Sequence, residues 1–263
     1  MKLIRLSLLI FPLLLAGCAG AHNPEDPLEP LNRGVYRFND ALDKAILKPA
    51  AKGYAAVMPT TGKIMVSNFF SNLDDIIVTA NDLLQFKLAQ GFSDGMRFVV
   101  NSTLGVFGLI DVASAGGLKK HDEDFGQTLG KWGVGNGAYL VLPIIGPSTV
   151  RDGVGFYADL FLDPMYYIND MSARNQTYLV QKITRRAELL DQEKVMDEAQ
   201  IDRYEFIRDI YLLHRQSQVY DGNPPRRKYD DDESDDTDLP QAPPASNTPS
   251  PAPADQQATP APP

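Results

Sequence analysis

The stretch NFFSNLDDIIVTANDLLQFKLA at residues 68–89 decides the fold. Phe69, Leu73, Ile76, Ile77, Ala80, Leu83, Leu84 and Leu88 recur at helical spacing and make one broad apolar face. Asn72, Asp75, Asn81 and Asp82 lie largely away from that face, and Ser67 and Asn68 are acceptable caps. This spacing predicts an amphipathic helix.

Outward from it, residues 27–48 repeat the pattern. Leu28, Leu31, Val35, Phe38, Leu42 and Ile46 form one stripe, with Arg33, Arg37, Asn39, Asp40 and Lys44 opposite. Asp26 reads as the N-cap, Pro27 as the first helical residue and Lys48-Pro49 as the stop. Residues 92–103, 155–172, 174–191 and 195–218 also read as helices, so the body is expected to be mostly α. Residues 104–118 and 126–155 are Gly-rich without a clean period. Ala138 to Ile145, interrupted by Pro143, fits a buried strand, a core turn or a re-entrant segment.

The ends differ from this body. Lys2 and Arg5 precede an eleven-residue apolar run, Leu6 to Ala16, which is too short for a span of about 20 residues but fits a signal segment. It leads into Leu15-Ala16-Gly17-Cys18, a lipoprotein cleavage pattern. Residues 1–17 are thus expected to be removed and Cys18, the single cysteine, to be acylated. Ala19 rather than Asp after it favours the outer membrane, by likeness to sorted lipoproteins. Residues 224–263 hold 11 prolines and 8 acidic against 3 basic residues, a composition expected to stay disordered. The body, 18–223, carries 20 basic against 26 acidic residues and no long uncharged apolar segment.

Composition excludes several classes. A net charge of −9 is wrong for a nucleic-acid binder. One Cys precludes an internal disulfide, and the scattered His22, His121 and His214 do not suggest a metal centre. Gly126 to Lys131 lacks the glycine spacing of a phosphate loop, and Trp132 stands where Ser or Thr would meet magnesium. There is no G-x-S-x-G elbow, and Ser114 has no nucleophile signature. His121 with Asp122, Glu123 and Asp124 reads as a polar loop. The residues suggest neither an enzyme, nor a cofactor, nor a metal.

Separated blocks of the chain nevertheless resemble one family. Asp26-Pro-Leu-Glu-Pro-Leu-Asn-Arg33, Tyr36-Arg-Phe-Asn39, Ser67-Asn-Phe-Phe-Ser-Asn-Leu73, Arg97-Phe-Val-Val-Asn101 and Gly108-Leu-Ile-Asp111 are similar to the MlaA/VacJ lipoproteins. So are Phe125-Gly-Gln-Thr-Leu-Gly130, Trp132-Gly-Val-Gly, Val150-Arg-Asp152-Gly and Arg186-Ala-Glu-Leu-Leu-Asp191. The resemblance implies an all-α, ring-like set of amphipathic helices embedded in the outer membrane around a central channel. It implies removal of mislocalised phospholipids from the outer leaflet and delivery to a periplasmic lipid-carrier protein, preserving lipid asymmetry, with a trimeric porin as membrane partner. The anchored protein would face the periplasm. On this reading Arg37, Phe38, Asn39, Asp40, Asp75, Asn81, Arg97 and Asn101 are candidate channel or gate residues. Gly126, Gly130, Gly133, Gly135 and Gly137 form a Gly-rich channel block. The alternative is a structural envelope lipoprotein that binds a partner without moving lipid.

Overall fold

The computed structural model describes residues 26–193 and 202–225; the expected signal segment, Cys18, the first part of the helix expected over 195–218 and residues 226–263 lie outside them. Helix α1 runs Glu29–Leu42, and a wide π turn, Asp43–Leu47, leads into α2, Lys48–Val57. Then follow α3 (Thr60–Leu84), α4 (Leu88–Thr103), the short α5 (Val112–Ala115) and α6 (Phe125–Lys131). Strands β1 (Tyr139–Leu142) and β2 (Gly146–Thr149) pair antiparallel, with Tyr139 opposite Thr149. Helix α7 (Val150–Asp159), a 3₁₀ turn (Pro164–Tyr167), α8 (Met171–Glu188) and α9 (Arg203–Val219) complete the described chain.

Aspartates start many of these helices, as short side chains that accept from the exposed first-turn amides do. Asp124 accepts from Gln127 N, Asp170 from Ala173 N and Asp202 from Tyr204 N. Each such cap is worth about 1 kcal/mol. Asp26 is not one of them. Its carboxylate is taken by Asn32 Nδ2 and by the Tyr204 hydroxyl, so α1 begins later, at Glu29, with Pro30 in its first turn.

Other boundaries differ from expectation for identifiable reasons. Lys48-Pro49 does not stop the helix. Pro49 falls in the first turn of α2, where its missing N–H costs nothing, and the π turn before it gives the ring room. The expected helix 155–172 is instead α7 plus the 3₁₀ turn. Thr149 starts it early by capping Asp152 N, and Asp163 captures Met165 N beyond its end. The undecided segment 138–145 is a hairpin strand and turn.

The elements close a circuit. α1 leads through the π turn to α2, which packs on α8; α8 touches α3, α3 touches α6, and α6 touches α9. Helix α9 meets β2, and β1 returns to α1. Among the described residues a small apolar core sits at that last junction. Tyr139, Val141, Tyr204 and Leu212 are buried there with Tyr36 and Tyr211 against them. Tyr204 meets Tyr36 and Tyr139 edge to face, and the Arg33 guanidinium lies 4.4 Å from its ring centre.

Elsewhere burial is inverted. Among the described residues 22 buried side chains are polar or charged and only 10 apolar, while 34 large apolar side chains are exposed. The α1 stripe illustrates it: Leu31 and Phe38 are more than half exposed, and Asn32 is 1% exposed. On α3 and α4 the same holds. Asp75, Asn81, Asp82, Asp94, Arg97 and Asn101 point inward, and Leu83, Leu88, Phe92 and Val99 point out.

Candidate functional site

Buried polar groups are costly unless paired, so the interior is organised by its hydrogen bonds. Three of its clusters lie around the candidate site. In the first, Lys120 Nζ reaches the Asp75 carboxylate and the Ser71 carbonyl. Arg97 Nε is 3.7 Å from the other Asp75 oxygen. The same guanidinium donates to Ser114 Oγ at 2.9 Å and contacts Asp111 at 3.3 Å. Asn101 donates to Asp111 and accepts from Ala113 N, so α3, α4 and α5 are tied through one set of side chains.

The second cluster joins α3 to α6 and α7. Asn81 donates to Asp159 at 2.9 Å and accepts from Thr128 at 2.8 Å. Asp159 also accepts from Phe125 N. Burial pushes its carboxyl up to about 6 against these bonds. Nearby, Asp82 is pushed up to about 7, first by burial and then by Glu123 and Asp94. The third cluster is Arg215 on α9, which binds Asp124 and Asp152 together at 2.6–3.1 Å. Burial raises Asp152, but Arg215 and Arg151 override it and hold the carboxyl at about 2.

Between α3, α7 and α8 these clusters leave an open cavity of about 520 Å³. Ile77, Val78, Phe156 and Leu160 give it apolar wall, Asp122, Asp159 and Asp163 acidic wall, and Lys182 and Arg185 basic wall. It can therefore accept a group that is polar at one end and apolar at the other. His121 hydrogen-bonds Asp94 at 2.7 Å, and no group of three or more ligating side chains suited to a metal occurs among the described residues.

The sequence candidates separate into two groups. Asp75, Asn81, Arg97 and Asn101 come together in the buried clusters, and Asn81 holds the cavity carboxylate Asp159 without lining the cavity itself. Arg37, Phe38, Asn39 and Asp40 lie on α1, away from it. Arg37 lines a separate cavity of about 400 Å³ beside Tyr36 and Arg203. Asn39 instead grips the hairpin turn, donating to Leu142 O and accepting from Ile144 N. Asp40 pairs with Lys44 on the surface.

The glycine block also divides. A Cβ on Gly126 would lie 2.6 Å from Asp152 Oδ1, and one on Gly130 2.8 Å from Arg151 Nη1. These glycines admit the ion cluster. Gly133 has φ +91° and closes α6, with its N–H on Gly130 O and Val134 N–H on Leu129 O. Gly135 has open space around it, and Gly137 faces Val150.

Sequence reasoning missed Lys120, Arg215 and the cavity residues Asp163, Tyr178, Lys182 and Arg185. Asp111, Thr128 and Asp152 stood inside the similarity blocks, but nothing local distinguished their side chains from solvated ones. Only their partners in space, from 10 residues away for Asp111 and Asn101 to 91 for Asp124 and Arg215, reveal such roles.

Comparison with known proteins agrees with this architecture. The sequence model of the family described as MlaA lipoprotein matches residues 24–218. The chain is 36% identical over 221 residues to the Escherichia coli protein named intermembrane phospholipid transport system lipoprotein MlaA, covering 81% of this chain and 87% of that one. The Haemophilus influenzae protein of the same name is 32% identical, covering 82% and 90%. A solved structure described as "Structural basis for maintenance of bacterial outer membrane lipid asymmetry" superimposes with a TM-score of 0.66 at 35% identity, over 74% of this chain and 98% of that one. The chain belongs to the MlaA lipoprotein family.

Proposed function

We propose that the protein removes mislocalised phospholipids from the outer leaflet of the outer membrane and passes them towards the periplasm, maintaining lipid asymmetry. One observation carries the reading: the polar interior encloses an open amphipathic cavity, while the large apolar side chains face outwards. In water that arrangement is unfavourable, since each large apolar side chain left uncovered forgoes about 1.5–3 kcal/mol. In a bilayer it is the favourable one.

No helix among the described residues is long and apolar enough to cross a membrane. The helical circuit therefore sits within the apolar layer by its outer surface, as amphipathic helices do, and acyl chains on Cys18 hold it there. Headgroups follow the polar interior and tails the apolar wall. Residues 18–223 form the working body, with residues 224–263 a dispensable appendage. The protein moves lipid without breaking bonds in it. A trimeric porin completes the membrane seat, and a periplasmic carrier protein receives the lipid. In this scheme Asp75, Asn81, Arg97 and Asn101 hold the passage open, and Arg37 to Asp40 act where α1 meets the hairpin.

The test is outer-leaflet phospholipid content in a deletion strain, in wild type, and in the deletion complemented with the gene. The reading requires accumulation in the deletion and reversal on complementation. Unchanged leaflet composition at confirmed absence of the protein refutes it.

A further inference from the structure

The 520 Å³ cavity has two electrical poles. Lys182 and Arg185 are three residues apart on α8 and both line it. Arg185 Nη2 is 2.7 Å from an Asp74 oxygen, whereas Lys182 has no carboxylate partner among the described residues. Burial and the neighbouring Arg185 push the Lys182 ammonium down, as expected for a cation held beside another cation. Such a pair is relieved by an incoming anion.

The other pole begins one turn earlier on the same helix. Tyr178 donates to Asp163 Oδ2 at 2.7 Å, and Asp163 Oδ1 accepts from Met165 N. Among the described residues Asp159 has only the neutral donors Asn81 and Phe125 N. Asp122, Asp159 and Asp163 line the cavity, and none has a cationic partner among the described residues. Asp163 and Asp122 are close enough to Asp74 to oppose its ionisation, although burial is the larger cause of its raised value. The remaining acids are neutralised elsewhere, Glu123 by Lys87 and Asp124 by Arg215. The wall is thus acidic beyond what its own cations balance.

We propose that this cavity selects zwitterionic phospholipid headgroups of the phosphoethanolamine type, with the phosphate on Lys182 and Arg185 and the ammonium on Asp163, Asp159 and Asp122. The inference rests on the phospholipid-conducting reading above. Tyr178 and Lys182 are offset by about 6 Å along the helix axis, on the order of the spacing between a phosphate and an ammonium two carbons away. The phosphate displaces Asp74 from Arg185 and relieves the crowding at Lys182. An anionic phosphoglycerol headgroup offers the same phosphate but leaves the carboxylates uncompensated, which disfavours it.

The experiment uses the acylated full chain, purified in mild detergent and incubated with vesicles of equal phosphatidylethanolamine and phosphatidylglycerol. Bound lipid is then extracted from the re-isolated protein and quantified by mass spectrometry. Wild type should hold phosphatidylethanolamine in about threefold or greater excess over the feed ratio. Asp122→Asn with Asp163→Asn should bring the ratio towards the feed, because each removes a charge while the amide oxygen at 163 still accepts from Met165 N. Lys182→Glu, on a side chain that reaches solvent although its ammonium faces the cavity wall, should lower total bound lipid severalfold. Bound lipid at the feed ratio in wild type, or a preference that survives the double variant, overturns the headgroup proposal while lipid passage stands. No bound lipid at all overturns both.

Discussion

A Cβ placed on Gly155 would lie 2.3 Å from the backbone nitrogen of Gly126, so α6 and α7 touch backbone to backbone at this pair. No side chain can yield there, because both sides of the contact are main chain. The crossing brings Asp159 on α7 within reach of the Phe125 amide on α6 and of Asn81. One close approach therefore positions the acidic wall of the cavity.

Gly155→Ala is expected to force the two helices apart at a cost of about 1–3 kcal/mol, the range for overpacking a filled site. Gly135→Ala, with nothing within 4 Å, is expected to stay within about 0.5 kcal/mol of wild type. Thermal midpoints in detergent compare the two. Equal midpoints would show that the crossing tolerates a methyl group.

Asn32 serves β1 in place of a neighbouring strand. It accepts from Val141 N at 2.9 Å and donates to Tyr139 O at 2.9 Å, and it also donates to Asp26 at 2.8 Å. Asn32→Ala leaves buried partners unpaired and is expected to cost about 3 kcal/mol. Asn39→Ala frees Ile144 N and Leu142 O at a half-open site and should cost about 1 kcal/mol. Hydrogen exchange reads this residue by residue: the Val141 amide should lose protection in the first variant and the Ile144 amide in the second. Protection retained at both would exclude the clamp.

Stability should depend on pH in two opposed limbs. Asp82, pushed up to about 7, and Asp159, to about 6, bind their protons more tightly folded than unfolded. Stability therefore falls as pH rises from the ordinary carboxylate value of about 4 towards 7. Asp152, held at about 2, acts in reverse, so stability rises between about 2 and 4. The midpoint should be highest near pH 4–5 (about where the limbs meet), and Asp82→Asn should flatten the upper limb. An unchanged upper limb in that variant would assign the dependence to other groups.

Cys18→Ala should abolish incorporation of labelled fatty acid and release the protein from the membrane fraction, since buried acyl chains contribute about 0.8 kcal/mol per CH₂. Label retained by the variant would place the anchor elsewhere. Cys18 itself lies outside the described residues.

Much of the fold was legible because amphipathic periodicity is a local property. The stripe around residues 28–46 does form a helix and its π turn, whereas the one expected over 68–89 is cut after Leu84, where Phe86 takes φ 61° and Leu88 begins α4; Asn72, Asp75, Asn81 and Asp82 do lie on the face opposite the apolar one. The boundaries were less legible. Pro49 looks like a stop until the π turn makes room for it, and Asp26 looks like a cap until Tyr204, 178 residues away, claims its carboxylate. Among the site residues, Arg97 and Asn101 were visible as polar positions on a helix. Lys182 and Arg185 were not singled out, because an exposed cation and a cavity cation have the same sequence signature.

By itself the sequence determined that this is a helical chain, that its helices are two-faced, and that its blocks follow one family in order. Which face turns inward was decided only by tertiary structure. Period 3.6 fixes the angle between apolar and polar residues around a helix but not the direction of either towards the molecular centre. That direction depends on whether Asp75 meets Lys120, Asn81 meets Asp159 and Arg215 meets two carboxylates. Long-range pairing makes the polar side the inside, and the apolar side is left to face whatever surrounds the protein.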